Sequence, residues 1–201
     1  ILRAEHAPTD FALVELDDPV STDYSPFFAG WNRSPINPQL TVGIHHPGIS
    51  EKRISIDLNP TTITDYLAAS QDNEANYLRI SEWDFGTTEQ GSSGSPLFDD
   101  KGSIVGQLTG GYSECGGDQG PDYYGRFHKS WIGGGTSSTR LSNWLDPKGG
   151  EEEFIDGIYS NELITIDDTS VIEGNSGVSV VEVELKINEV SDGPILSLIH
   201  I

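Results

Sequence analysis

The hexapeptide Gly91-Ser92-Ser93-Gly94-Ser95-Pro96 has the clearest capacity for chemistry in this 201-residue chain. A nucleophilic serine needs a tight turn poor in Cβ atoms, so that its hydroxyl projects into a cleft while backbone N–H groups converge on one point. The flanking glycines permit that backbone. Ser93 is then the candidate nucleophile, and the N–H groups of Gly91 and Ser93 are candidate donors to the oxyanion that develops on an attacked carbonyl. By their letters alone the same residues also read as a flexible Gly/Ser loop. Pro96 and the apolar run after it tie the loop to a hairpin and favour the first reading.

Strands must hold that loop. Asp10–Leu16 is mostly apolar and is closed by Asp17-Asp18-Pro19, and Leu40–Ile44 leads into the turn His45-His46-Pro47-Gly48. Arg53–Leu58 alternates with period two, and Tyr77–Trp83 sets Leu78 and Ile80 among polar neighbours. Pro96–Phe98 and Ser103–Leu108 flank Asp99-Asp100-Lys101-Gly102, a strong hairpin signal, and Tyr123–Phe127 reads as a further strand. The first helix expected is Thr139–Leu145, with Ser137 or Ser138 as N-cap and a stop at Asp146-Pro147. Residues 10–158 therefore read as an all-β domain with one short terminal helix.

Composition narrows the partners. With 11 Lys+Arg against 32 Asp+Glu the formal charge is −21, which repels phosphate backbones and makes nucleic acid an unfavourable partner. No apolar run reaches the about 18 residues of a membrane-spanning helix. The 23 Gly and 11 Pro, with 4 Trp, 7 Tyr and 7 Phe, argue for a folded, loop-rich β protein. The chain contains no Met and begins at Ile1, which reads as a mature product or a piece of a longer chain. Cys115 is the single cysteine, an ordinary buried thiol in a cytosolic setting or an orphan in a secreted one.

Thr88-Glu89-Gln90-Gly91-Ser92-Ser93-Gly94-Ser95-Pro96, Gly106-Gln107-Leu108, Tyr124-Gly125-Arg126, Trp131, Arg140-Leu141-Ser142 and Trp144-Leu145-Asp146-Pro147 together resemble the chymotrypsin-like serine peptidases. Among these the likeness is to the bacterial lysyl endopeptidases, and it spans roughly residues 8–158. The resemblance implies the second barrel of a trypsin-like double β-barrel plus a remnant of the first. It makes Ser93 the nucleophile, Gly91 and Ser93 the oxyanion hole, and Asp10, at the head of an apolar strand, the aspartate that orients the catalytic imidazole. The general base should precede Asp10 in this fold. Only His6 does, too close to Asp10 to lie on the separate loop the family uses. His45 and His46 follow Asp10 and match a turn without a catalytic role. The base and most of the first barrel are thus expected to lie outside this chain. By the same resemblance Cys115 pairs with a cysteine of the missing N-terminal part.

The resemblance also furnishes a specificity pocket. Thr87, a neutral residue, holds the position from which trypsin-like enzymes present an acid. Asp122 matches the aspartate that lysyl endopeptidases place at the pocket base, and Gly110 and Gly111 match its wall, where substrate backbone pairs as an added strand. Thr109 departs from the subfamily, which often has a histidine beside the active centre. Ser92 stands where trypsin-like zymogens carry the aspartate that pairs with a freed N-terminal Ile, so that activation switch is not expected here.

Composition shifts at Lys148-Gly149-Gly150 and Glu151-Glu152-Glu153. Beyond Ser160, Leu163–Ile166 and Val178–Ile187 read as strands joined by Glu173-Gly174-Asn175-Ser176-Gly177, too few to bury a core alone. This tail resembles the opening of a Calx-β domain, a calcium-associated β-sandwich of secreted bacterial proteins. Asp167, Asp168 and Glu173 are oxygen donors suited to Ca²⁺, though they read equally as solvated turn acids. The expected organisation is a partial peptidase domain over 1–158 and a truncated Calx-β-like segment over 159–201. No cofactor is expected for catalysis. The expected activity is cleavage after Lys in secreted or extracellular surroundings, the chain itself being inactive without its base. The alternative is a non-catalytic secreted module that binds proteins through the same groove.

Overall fold

The computed structural model describes residues 1–117, 119–160, 164–166 and 185–187. In chain order the strands are β1 (Leu2–His6), β2 (Phe11–Val14), β3 (Phe27–Phe28), β4 (Trp31–Asn32), β5 (Thr41–His45), β6 (Arg53–Asp57) and β7 (Thr62–Thr64). They continue as β8 (Tyr77–Ile80), β9 (Pro96–Phe98), β10 (Ile104–Ser113), β11 (Gln119–Arg126), β12 (Phe154–Ile155), β13 (Ile158–Tyr159), β14 (Ile164–Ile166) and β15 (Leu185–Ile187). The two α-helices among the described residues are α1 (Phe127–Ile132) and α2 (Ser142–Leu145). The fold is all-β, as the alternating runs predict. No helix among the described residues is long and apolar enough to cross a membrane.

Two compact units are present, Ile1–Asp18 with Ala29–Gly157, and Pro19–Phe28 with the chain from Ile158 onward. The expected division at 158/159 left Pro19–Phe28 in the first domain, whereas the structure groups it with the C-terminal segment through the β3–β13 pair, Phe28 opposite Ile158. In that second unit β14 also pairs antiparallel with β15. Asp167, Asp168 and Glu173, and the Calx-β-like stretch beyond Ser160 other than β14 and β15, lie outside the described residues.

The first unit is built on an antiparallel sheet in the order β6-β5-β9-β10-β11-β8-β7, with β4 beside β10 and β12 beside β4. Ile63, Leu78, Ile80, Trp83, Leu97, Val105, Leu108 and Tyr124 form one buried cluster. Because they come from strands spread across the sheet, the sheet must curl for their side chains to meet. Asp99-Asp100-Lys101-Gly102 closes the β9–β10 hairpin as expected, with Asp99 Oδ1 accepting the amides of Lys101 at 3.0 Å and Ser103 at 2.9 Å. Arg126 is buried at the end of β11, and its guanidinium donates to the carbonyls of Asn73, Ala75 and Pro35 at 2.7–3.0 Å. One side chain thus ties two loops, around Pro35 and around residues 73–75, to the end of β11.

The helical expectation needs correction at both ends. Phe127 opens α1 instead of closing a strand, and α1 precedes the expected helix. It buries Phe127, Ser130 and Trp131 on one face but is too short for its period to be read from sequence. The later helix is confined to Ser142–Leu145, with Leu141 at its N-terminus and no side-chain cap. Thr136 and Thr139, in place of Ser137 or Ser138, organise the preceding turn through a 2.7 Å hydroxyl pair.

A second apolar cluster joins Ala4 and Phe11 to Trp31, Phe127, Trp131 and Leu141, with Trp31 stacked on Phe127 at 5.7 Å. It seats the β1–β2 hairpin against α1. At the hairpin's turn, fully buried Thr9 has its carbonyl held by Gln107 Nε2 at 2.7 Å and its hydroxyl by Ser130 Oγ at 3.0 Å. That fit requires a glycine opposite, because a Cβ at Gly125 would stand 1.8 Å from the Thr9 carbonyl oxygen. Gly125→Ala is therefore expected to destabilise the first unit by about 3 kcal/mol, the scale of an overpacked core site, measured by urea unfolding with Trp fluorescence. A loss below about 0.5 kcal/mol, ordinary for a surface site, would contradict the close approach.

Candidate active site

Ser93 lies exposed on the loop between β8 and β9, and that loop is stitched to β10. Gly94 N–H donates to the Leu108 carbonyl at 2.7 Å, and Leu108 N–H returns a bond to the Ser95 carbonyl at 2.9 Å. Gly91 takes φ +97°, a left-handed value that glycine adopts at little cost. Among the described residues, neither the Gly91 nor the Ser93 amide is engaged with a backbone or side-chain acceptor. The β10–β11 register shifts between Leu108 and Gly110, so Thr109 is an extra residue there, and its carbonyl accepts the Ser93 hydroxyl at 3.4 Å.

Asp10 reaches the same place from the other end of the chain. It follows the 3₁₀ turn Ala7–Thr9 in a left-handed conformation, φ 53° and ψ 43°, with its N–H on the Ala7 carbonyl. Asp10, Ser93, Gly94 and Gln107 line one cleft of about 620 Å³, whose remaining wall is largely apolar. No histidine lines it. Among the described residues His6 faces Thr9 Oγ1 at 3.2 Å, His46 the Ser50 carbonyl and His128 the Arg33 carbonyl, while His200 lies outside the described residues.

Asp122 is 1% exposed and sits on the other side of β10, in register with Gly111. Its Oδ2 accepts from Trp83 Nε1 at 2.7 Å and Thr88 Oγ1 at 2.6 Å. A Cβ on Gly111 would fall 2.2 Å from Oδ1, so the second oxygen lies against the glycine strand that follows Thr109. Gly110 lies next along that strand, near the Tyr66 hydroxyl. Thr87 is elsewhere, lining a separate cleft of about 320 Å³ with Arg53, Glu89 and Cys115. Cys115 is a free, exposed thiol whose amide donates to Glu89 Oε1 at 3.1 Å.

The structure also reveals groups that the sequence analysis passed over. His45, 1% exposed, bridges Ser92 Oγ through Nδ1 and Ser55 Oγ through Nε2, each at 2.9 Å. Ser92 enters the sequence analysis only as a replaced aspartate, and Thr9, Gln107 and Ser130 do not enter it as site residues. The one available signal was the pair of adjacent histidines before Pro47. Burial lowers the basicity of His45, a tendency opposed by the Asp122 and Glu89 carboxylates and reinforced by His46. Burial also lowers that of His128, in part against its bond to the Arg33 carbonyl.

These shifts fix a sign. In the folded state both imidazoles bind protons less readily than the ordinary imidazole, with its pKa of about 6.5. The unfolded chain therefore takes up protons first as pH falls, and stability declines below that point. Unfolding free energy should decrease as pH drops through the region just under about 6.5, and the slope should flatten when His45 and His128 are both replaced by Gln. Urea unfolding across that range checks this, and a slope unchanged in the double variant would refute it.

Residues 1–125 match the family described as "Lysyl endopeptidase, C-terminal domain".

Proposed function

The chain belongs to the lysyl endopeptidase C-terminal domain family, and from that premise we propose that it carries the nucleophile and specificity pocket of a secreted bacterial serine endopeptidase acting after Lys. The observation that supports this most is the cleft shared by Ser93 and Asp10, with two unengaged amides beside the serine. In the proposed reaction Ser93 Oγ bonds to the scissile carbonyl carbon as its proton passes to a histidine from outside these 201 residues. The carbonyl oxygen becomes an oxyanion accepting from Gly91 and Ser93 N–H. Collapse breaks the C–N bond, the imidazolium returns its proton to the leaving amine, and water cleaves the acyl-enzyme by the same steps. Asp10 holds that imidazole in its productive tautomer and stabilises its charged form.

Lys selection rests on Asp122. Its carboxylate is already oriented by Trp83 and Thr88, and a substrate ammonium reaching past Gly110 and Gly111 supplies the missing countercharge. An apolar side chain would leave that buried charge unpaired. Thr87 lines a different cleft, so it is assigned no contact with substrate. Calcium binding by a Calx-β-like tail belongs to the same proposal and plays no part in the chemistry.

The test expresses the chain with a family N-terminal half that carries the base. A serine-directed fluorophosphonate should label Ser93 and fail on Ser93→Ala, and peptides ending in Lys should be preferred over Arg and far over Leu. Asp122→Asn should lower kcat/KM for Lys by about 10²–10³, the scale of leaving one partner of a buried pair alone. Labelling without Lys preference would overturn the pocket assignment. No labelling, with retained binding of protein ligands, would instead favour the non-catalytic module.

A further inference from the structure

His45 stands at the end of β5, opposite exposed Arg53 of β6, and its side chain is spent entirely inside the protein. For the neutral ring the hydrogen bonds around it allow one arrangement of protons. Ser55 Oγ donates to the Thr87 carbonyl at 3.1 Å, so towards His45 it can only accept, and Nε2 must carry the hydrogen. The neutral ring then presents Nδ1 as an acceptor. Ser92 Oγ, which already accepts the Glu89 amide at 3.3 Å, donates to it. The resulting chain runs from the Glu89 amide through Ser92, His45 and Ser55 to the Thr87 carbonyl, with every polar atom satisfied.

Both ends of this chain, and Ser92 within it, belong to residues 87–92, the segment that delivers Gly91 and Ser93 to the cleft. The backbone adds one tie between the same two regions, Gly48 N–H to the Gln90 carbonyl at 2.8 Å. The segment's own turns are Ser92 N–H to the Glu89 carbonyl and Ser95 N–H to the Ser92 carbonyl, at 3.0 and 3.1 Å. His45 is thus the side chain that anchors the residue immediately before the nucleophile to the sheet. We propose that His45 is a positioning residue, its neutral ring acting through Ser92 to hold the Gly91 and Ser93 amides in the orientation that receives the oxyanion. This rests on the endopeptidase reading above.

The two nitrogens have separable tasks. His45→Asn keeps an acceptor near the Nδ1 position and so keeps the link to Ser92, whereas His45→Phe fills the volume and loses both links. Ser92→Ala removes the link together with the acceptor of the Glu89 amide and leaves the ring in place. The first measurement is made on the 201-residue chain by NMR and needs no activity. The wild-type ring should be the Nε2–H tautomer, with Gly91–Ser93 amide order parameters near the rigid value of about 0.85. In Ser92→Ala and His45→Phe those order parameters should fall towards about 0.6 while β10 and β11 keep their spectra. If His45→Phe does not fold, Ser92→Ala decides.

The second measurement uses the base-bearing form. Ser92→Ala and His45→Phe should each lower kcat by about 10², comparable to loss of an oxyanion donor. KM should stay nearly constant, and His45→Asn should recover most of the loss. A rigid segment in Ser92→Ala, or a loss carried by KM alone, overturns the positioning role while leaving Ser93 as nucleophile. Absence of phosphonate labelling in every form, wild type included, overturns the endopeptidase reading and with it the catalytic meaning of the relay.

Discussion

The hydrogen bond from the Gln107 side chain to the Thr9 carbonyl is the constraint on which the site's geometry depends. Asp10 lies near one end of the first unit's sequence, and the serine loop follows β4–β8 in the chain. Without a specific contact the β1–β2 hairpin would have no defined relation to β10. Gln107 provides it, with Gly125 leaving room for the carbonyl and Ser130 holding the Thr9 hydroxyl. Gln107 is also the strand neighbour of Leu108, whose amide and carbonyl clasp the serine loop. Asp10 and Ser93 are therefore referenced to two consecutive residues of one strand. The apolar cluster around Trp31, Phe127 and Trp131 provides the non-directional driving force for this docking, and the Thr9 bonds give it one register.

Two buried polar systems meet at the serine loop. In one, His45, Ser55 and Ser92 fix the backbone before Ser93. In the other, Trp83 and Thr88 fix a carboxyl group against the glycine strand that follows Thr109. Thr87 and Thr88 connect them, since the Thr87 carbonyl ends the histidine chain and the Thr88 hydroxyl donates to Asp122. Burial works against the imidazolium form of His45 more strongly than the nearby Asp122 and Glu89 side chains favour it. The hydrogen bonds of the His45 relay hold the loop, which gives specificity of position that apolar packing alone does not supply.

Much of this was legible in the residues, for reasons that can be named. Gly91-Ser92-Ser93-Gly94 marked the elbow because few other residue types permit that backbone, and Asp99-Asp100-Lys101-Gly102 marked a hairpin through its local hydrogen-bonding chemistry. Asp122 was readable by resemblance only, its surroundings being set by Trp83 and Thr88 from distant segments. The inward face of β5 was not readable. The strand buries Thr41, Gly43 and His45 while Val42 and Ile44 are only half-buried, because Gly43 must pass Trp83 and Tyr124, each 3.3 Å from a would-be Cβ. Hydrophobic periodicity assigns that strand the opposite face, and so conceals the buried histidine. Helix α1 escaped because six residues hold under two turns.

Backbone strain at Asp10 carries the argument one step further. A left-handed φ on a residue with a side chain is uncommon, and Asp tolerates it better than most. The hairpin could have placed Gly there without that cost, and the N–H bond to Ala7 would have been the same. A carboxylate is what the strained position adds, on a residue that lines the cleft with Ser93. The neighbours that maintain the conformation, Thr9 on one side and Phe11 on the other, are both buried and both tied to β10, β11 or α1. The fold thus stabilises a conformation that local preference disfavours and puts an acidic residue on the wall of the cleft that holds Ser93. Strain held by buried neighbours marks a position with a task, and orienting an imidazole beside the serine is the task proposed for it.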